Sequence, residues 1–95
     1  ALKMLELAQR FTEYNKLVVS LQENFLYLCL MEGDKLITLN SYAVEDFNTA
    51  LFYTLAALKG AQINPSQTKI RIFKTKLEYN QLERFGTYFK RAEII

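Results

Sequence analysis

The sequence contains no histidine and no tryptophan, and its 95 residues include one cysteine, one proline and three glycines. Without histidine there is no imidazole to serve as a general base or a metal ligand. A single cysteine builds neither a thiolate metal site nor an internal disulfide. Few glycines and one proline disfavour a turn-rich all-β fold. The residues therefore predict no catalytic site, no metal site and no cofactor, and we do not expect an enzyme.

Length and polarity are those of one globular domain. Half of the residues (51%) are apolar and 23% are charged, so the chain can bury a core and is not disordered. The longest uninterrupted apolar run covers residues 25–31, whereas a bilayer span needs about 20 residues. Cys29 lies in this run, and we expect it to be a small buried residue rather than a reactive thiol. We expect a cytoplasmic protein that does not insert into a membrane.

The two ends suggest a fragment. The chain begins at Ala1 rather than at a methionine and stops at Ile95 without a glycine, asparagine or proline that would end a helix. We interpret residues 1–95 as a single domain excised from a longer protein.

The first third of the chain carries a helical pattern. Apolar residues recur at alternating spacings of three and four, which is typical of a helix with one buried face. The series is Met4, Leu7, Phe11, Tyr14, Val18, Leu21, Phe25 and Leu28. Gly33 follows as a residue suited to a helix C-terminus. A long first helix is predicted.

Two further helices are predicted after residue 40. Ser41 is a candidate N-cap, and an apolar stripe from Val44 to Leu58 runs to a helix end at Lys59 and Gly60. Asn64 followed by proline and, at the third helical position, glutamine is a second helix-start pattern. The apolar residues beyond it fit one broad helical stripe as far as Ile95.

Two segments leave an alternative open. Residues 35–39 are too short to classify as strand or helix. The alternation Ile70-Arg71-Ile72 is typical of a strand, but it fails at Phe73, so the helical interpretation is preferred. The predicted fold is all-α: a bundle of about three helices, long, short and long, completed by an extra helix, a partner or a second copy.

A protein-interaction or oligomerisation module is the function that this fold favours. Aromatic and aliphatic residues that the helical stripes leave over would dock a protein partner or another copy of the chain. The candidate contact residues are Leu26, Leu30, Phe52, Tyr53, Ile72 and Tyr79.

The alternative is a nucleic-acid-binding or regulatory domain. Residues 1–65 carry five basic and seven acidic side chains, whereas residues 66–95 carry seven basic and three acidic ones. On a helix over residues 66–91 the lysines would form a basic strip able to contact phosphates. Its candidate residues are Lys69, Lys76, Lys90, Arg71 and Lys74.

Overall fold

A computed structural model describes residues 2–95 as a five-stranded sheet with helices on both faces. The strands are β1 (Asn15–Gln22), β2 (Phe25–Glu32), β3 (Lys35–Ala43), β4 (Lys69–Ile72) and β5 (Arg91–Ile94). The helices are α1 (Leu2–Gln9), α2 (Phe47–Gly60) and α3 (Tyr79–Tyr88), with a 3₁₀ turn at Pro65–Gln67. The all-α prediction is therefore wrong, and the fold is mixed α/β.

The first three strands form an antiparallel meander joined by two-residue turns. Glu23 and Asn24 connect β1 to β2 with φ values of 48° and 65°, the two positive angles that a type I′ turn requires. Gly33 and Asp34 connect β2 to β3, and Gly33 has a φ of 61° at the first position of its turn. Gly33 thus serves a hairpin rather than the predicted helix end.

The last two strands add to β1 in parallel, and the sheet order is β3-β2-β1-β4-β5. Two crossovers, one through α2 and one through α3, move along the sheet in the same direction. Right-handed crossovers then place both helices on the same face. Accordingly, Leu51 of α2 and Phe85 of α3 belong to one core cluster with Leu28 and Ile70 of the sheet.

The opposite face of the sheet is covered by α1. Met4 and Ala8 of α1 pack on Val18, Cys29 and Met31 in a second, smaller cluster. Cys29 is fully buried, and burial raises the pKa of its thiol. The prediction that Cys29 is a small buried residue is confirmed.

The prediction of one long first helix is wrong beyond the end of α1. Strands β1 and β2 are covered on both faces, so their apolar residues form continuous runs instead of alternating. A continuous run contains apolar residues at every spacing, including three and four. The helical series therefore passes through strands in which Val18 and Leu21 face opposite sides of the sheet.

The second predicted helix is confirmed as α2, but its start is wrong. Asp46 is the N-cap, because its side chain accepts a hydrogen bond from the Thr49 N–H at 2.8 Å. Ser41 lies in β3 instead, and residues 35–39 belong to that strand. The helix ends at Gly60, as predicted.

The third predicted helix breaks into four short elements. Asn64 does cap a helical turn, by accepting from the Ser66 N–H at 3.0 Å, but this turn ends at Gln67. The alternation Ile70-Arg71-Ile72 that was set aside is β4. Only α3 is helical in the remaining part, and Gly86 lies inside it without a break.

None of the helices in residues 2–95 has the length and apolar character needed to cross a bilayer.

Leu30 and Phe52 were both predicted to contact a partner in a helical bundle, but in the sheet their substitution should have different effects on stability. Leu30 is fully buried in the sheet, whereas the Phe52 side chain is 66% exposed. Leu30→Ala should lower the free energy of unfolding by about 2–5 kcal/mol, because it leaves a cavity in the core. Phe52→Ala should cost less than about 1 kcal/mol. Urea unfolding of both variants checks this, and equal costs would contradict the described packing.

Candidate functional site

The carboxyl edge of the sheet is the usual location of a ligand site, because open α/β sheets bind ligands beyond the carboxyl ends of their parallel strands. A cavity of about 180 Å³ lies there, between the end of β1, the start of α2 and the segment before α3. The Leu21 N–H donates a hydrogen bond to the Thr75 hydroxyl at 2.7 Å, which ties the end of β1 to the segment before α3.

Negative charge dominates the carboxyl edge. Asp46 and Glu78 occupy the N-cap positions of α2 and α3, so both helix starts face a carboxylate of the chain itself. The hydrogen bond from the Thr49 N–H lowers the pKa of Asp46 and keeps it ionised. Glu45 also lines the cavity, and Lys76 is the one cation among its described lining residues; Glu23 and Lys74 lie outside the lining. Each helix start is thus already occupied by a carboxylate of the chain at the place where a phosphate would otherwise bind.

A buried arginine organises the opposite end of the sheet, on the face that carries α1. Arg71 of β4 is 5% exposed and makes two hydrogen bonds to the Glu13 carboxylate, at 2.7 and 2.9 Å. Its guanidinium lies 3.5 Å from the centre of the Phe11 ring. These contacts hold the connection between α1 and β1 against β4, 58 residues along the chain.

The ion pairs hold the neighbouring carboxylates ionised. The hydrogen bond from Arg71 lowers the pKa of Glu13 from 4.5 to about 2. Lys69 pairs with Glu93 of β5 at 2.9 Å and lowers the pKa of that carboxyl as well. Glu13 and Glu93 are therefore charge partners of the sheet and not proton donors near neutral pH.

Beside these pairs a cavity of about 440 Å³ opens at the amino ends of β1, β4 and β5. We call it the amino-edge cavity. Its lining residues are Glu13, Tyr14, Asn15, Gln67, Lys69, Lys90 and Arg91.

The candidate nucleic-acid residues do not form the predicted strip. Lys69 and Lys90 both line the amino-edge cavity, and Arg71 is buried next to it beneath Glu13. Lys74 and Lys76 lie beyond the carboxyl end of β4 and line two other cavities. The expected single basic surface is thus divided between the two ends of β4.

The candidate partner-binding residues separate into two groups. Leu26, Leu30 and Ile72 are fully buried or nearly so, in the core against α2 and α3, and have no surface to offer. The other three lie on the helices: Phe52 and Tyr79 are 66% and 77% exposed, on α2 and at the start of α3, and Tyr53 of α2 is half-buried.

Phe52 belongs to an aromatic cluster that joins α2 to the edge strand β3. Its ring meets the Tyr53 ring edge-on at 5.8 Å between centroids. Tyr53 in turn stacks on Tyr42 of β3 at 4.9 Å. We call Tyr42, Phe52 and Tyr53 the aromatic cluster. Tyr42 was missed in the sequence because its segment was assigned to a helix start.

Metal ligation finds no support in the part of the chain that the structure describes. No group of three or more histidine, cysteine, aspartate or glutamate side chains converges within residues 2–95.

Comparisons with known proteins identify the family and the fold. A family model described as "Protein of unknown function (DUF3822)" matches residues 2–90. The structure is similar to the crystal structure of a Bacteroides thetaiotaomicron protein described as having an actin-like ATPase fold and unknown function. The TM-score is 0.81 at 14% identity, and the match covers 98% of this chain and 37% of that one. No curated protein matches the chain.

This similarity supports the fold and nothing further about activity. The chain spans little more than a third of the length of the Bacteroides protein. The acidic carboxyl edge, the amino-edge cavity and the aromatic cluster are features of this chain's own residues.

Ionisation of Glu13 should make stability depend on pH. Its pKa is lowered in the folded chain, so the stabilisation is present above pH 4.5 and is lost as the pH falls through about 2. Urea unfolding of the natural chain and of Glu13→Gln should therefore differ most at neutral pH and converge toward about pH 2.

Glu6→Gln is the matched control, since Glu6 is exposed on α1. It should leave the pH profile of the natural chain unchanged. A difference between the natural chain and Glu13→Gln that persists undiminished at about pH 2 would contradict the role assigned to the Arg71 pair.

Proposed function

This chain belongs to the DUF3822 family, and we propose that it is a non-catalytic assembly module that binds a second copy of itself through β3 and α2. The observation that carries the proposal is an edge strand that has no charged residue after Lys35 and lies directly beside the aromatic cluster.

The edge strand offers unpaired backbone groups. Val44 N–H donates to the Asn24 carbonyl at 2.9 Å, and bonded pairs alternate along an antiparallel ladder. The N–H and C=O groups of Leu39, Ser41 and Ala43 therefore point away from β2. Exposed edges of this kind pair with another strand unless they are blocked.

Few of the usual protections are present on β3. Between Leu36 and Val44 the sequence contains no charged residue and no proline. The ladder is irregular near Leu30 and Met31, which disturbs the beginning of β3 and leaves residues 38–43 regular. One outward N–H, that of Ser41, is taken by the Asn40 side chain at 2.9 Å.

The aromatic cluster supplies an anchor next to this edge. Phe52 is two-thirds exposed, while its neighbour Tyr53, which itself stacks on Tyr42, holds it in place by a ring contact. Rigid aromatic side chains of this kind contribute most of the binding free energy at protein interfaces. Strand pairing and burial of Phe52 would thus reinforce each other.

A second copy is the occupant that the charges favour. In a two-fold contact the same surface meets itself, so a surface with a net charge would be repelled by the same net charge on its partner. The edge from Leu36 to Val44 and the aromatic cluster are uncharged. Self-contact therefore involves no like-charge repulsion across this surface.

The acidic carboxyl edge supports a non-catalytic role. Both helix starts that could hold a phosphate face carboxylates, and the three glycines lie at Gly33, Gly60 and Gly86, away from this edge. A close approach of phosphate to backbone N–H groups, as in glycine-rich loops, has no counterpart there.

Sedimentation equilibrium tests the proposal. We expect a reversible dimer that forms as the protein concentration rises from roughly 10 to roughly 500 µM. Phe52→Ala should weaken dimerisation about tenfold, since truncating an interface anchor costs more than about 1 kcal/mol. Ser41→Pro should prevent dimerisation, because proline blocks strand pairing while the Ser41 N–H takes no part in the bonds to β2.

Two matched variants serve as controls. Tyr79→Ala removes an aromatic side chain that is even more exposed than Phe52 and lies on a different element, and Ser41→Ala removes the hydroxyl without changing the backbone. Both should dimerise like the natural chain. A strict monomer throughout this concentration range, or equal weakening by Phe52→Ala and Tyr79→Ala, would overturn the proposal.

A further inference from the structure

We propose that the amino-edge cavity binds a phosphate monoester that carries a neighbouring hydroxyl group, as a sugar phosphate or a nucleoside monophosphate does. This site lies on β4 and β5, at the other side of the sheet from β3, and does not depend on self-association.

The cavity has a suitable size. Its volume of about 440 Å³ falls within the roughly 300–1,000 Å³ that is usual for small-molecule sites. It is lined by side chains that donate and accept hydrogen bonds, together with the ring of Tyr14.

Two positive charges in the cavity form no close ion pair, although Arg91 contributes to the lowered pKa of Glu93. Glu13 is neutralised by Arg71, and Lys69 is paired with Glu93. Lys90 and Arg91 form no ion pair with any residue of the described range 2–95. Their combined charge matches that of a phosphate monoester, which carries close to two negative charges near neutral pH.

The cavity is held in shape by the main chain. Lys90 N–H donates to the carbonyls of Pro65 and Thr68, at 3.2 and 3.0 Å, which fixes the approach to β5 beside the 3₁₀ turn. Arg91 is then paired with Lys69 in the parallel register of β4 and β5. The backbone that carries the two exposed cations is therefore fixed before any ligand arrives, which lowers the cost of binding.

A buried acceptor explains the need for a hydroxyl group. Asn15 is half-buried and lines the cavity, and its Oδ1 atom lies beneath the surface without a hydrogen-bond partner among the described residues. A rotation of this side chain would bring Oδ1 to a bound ligand. Leaving a buried acceptor unpaired is unfavourable. An ionised phosphate has no proton to donate to Asn15, whereas a sugar hydroxyl has one. A ligand with both groups would satisfy the two cations and the asparagine together.

Titration of the isotope-labelled chain by NMR tests this with inorganic phosphate, ribose 5-phosphate and ribose. Ribose 5-phosphate should bind about tenfold more tightly than inorganic phosphate, the effect of one additional hydrogen bond to a buried group. Ribose should not bind detectably. Signals of Asn15, Lys90 and Arg91 should move together in the titration.

Three substitutions separate the contributions of the two chemical groups. Lys90→Gln and Arg91→Gln should each weaken both phosphate ligands about tenfold. Asn15→Ala should reduce the affinity for ribose 5-phosphate to that for inorganic phosphate, and unchanged binding of inorganic phosphate shows that this variant is folded. Lys59→Gln, an exposed charge change at the end of α2, should have no effect.

A single-stranded oligonucleotide without a terminal phosphate tests whether the site binds the phosphodiester backbone of a nucleic acid instead of a phosphate monoester. Binding of the oligonucleotide in the absence of monoester binding would overturn the proposal and favour a nucleic-acid surface. Absence of binding by either phosphate probe at about 10 mM and low salt would also overturn it, as would binding that Lys90→Gln and Arg91→Gln leave unchanged. Dimerisation should be unaffected by these variants, so the two proposals can fail separately.

Discussion

The parallel pairing of β4 with β1 is the constraint on which the other features depend. It inserts β1 at the centre of the sheet, so β3 is left at one edge and β5 at the other. It also aligns the amino ends of β1, β4 and β5, where Asn15, Lys69 and Arg91 line one cavity. The same pairing sets Arg71 opposite Val18, beside the connection that carries Glu13 and Phe11. The edge strand, the cavity and the buried ion pair are consequences of one strand order.

The sequence predicted correctly those local features that depend on residues close together along the chain. The end of α2, the cap formed by Asn64 and the burial of Cys29 all follow from short patterns. The strands were missed because both faces of β1 and β2 are covered, which replaces alternation by continuous apolar runs. The turn residues at 23–24 and 33–34 were the available signal, since two-residue turns between apolar runs indicate hairpins.

The candidate surfaces were harder to predict, because they combine residues that are distant along the chain. Phe52 and Tyr53 were identified as residues outside the apolar stripe, but Tyr42 joins them only through the position of β3 beside α2. Likewise, Lys69 and Lys90 meet because β5 pairs with β4, which no helical projection could show. Ile72 was predicted to contact a partner from the face of a helix, whereas strand alternation places it in the core, on the opposite face from Arg71.

The central claim is that the free edge of β3 pairs with a second copy of the chain. Hydrogen exchange of the backbone amides at this edge is its most direct test. The N–H groups of Leu39 and Ala43 point away from β2 and should exchange rapidly in the monomer. The account predicts that their exchange slows as the protein concentration rises from about 10 to about 500 µM, while the amides of β5 at the other edge do not change. Exchange at Leu39 and Ala43 that is independent of concentration would contradict it.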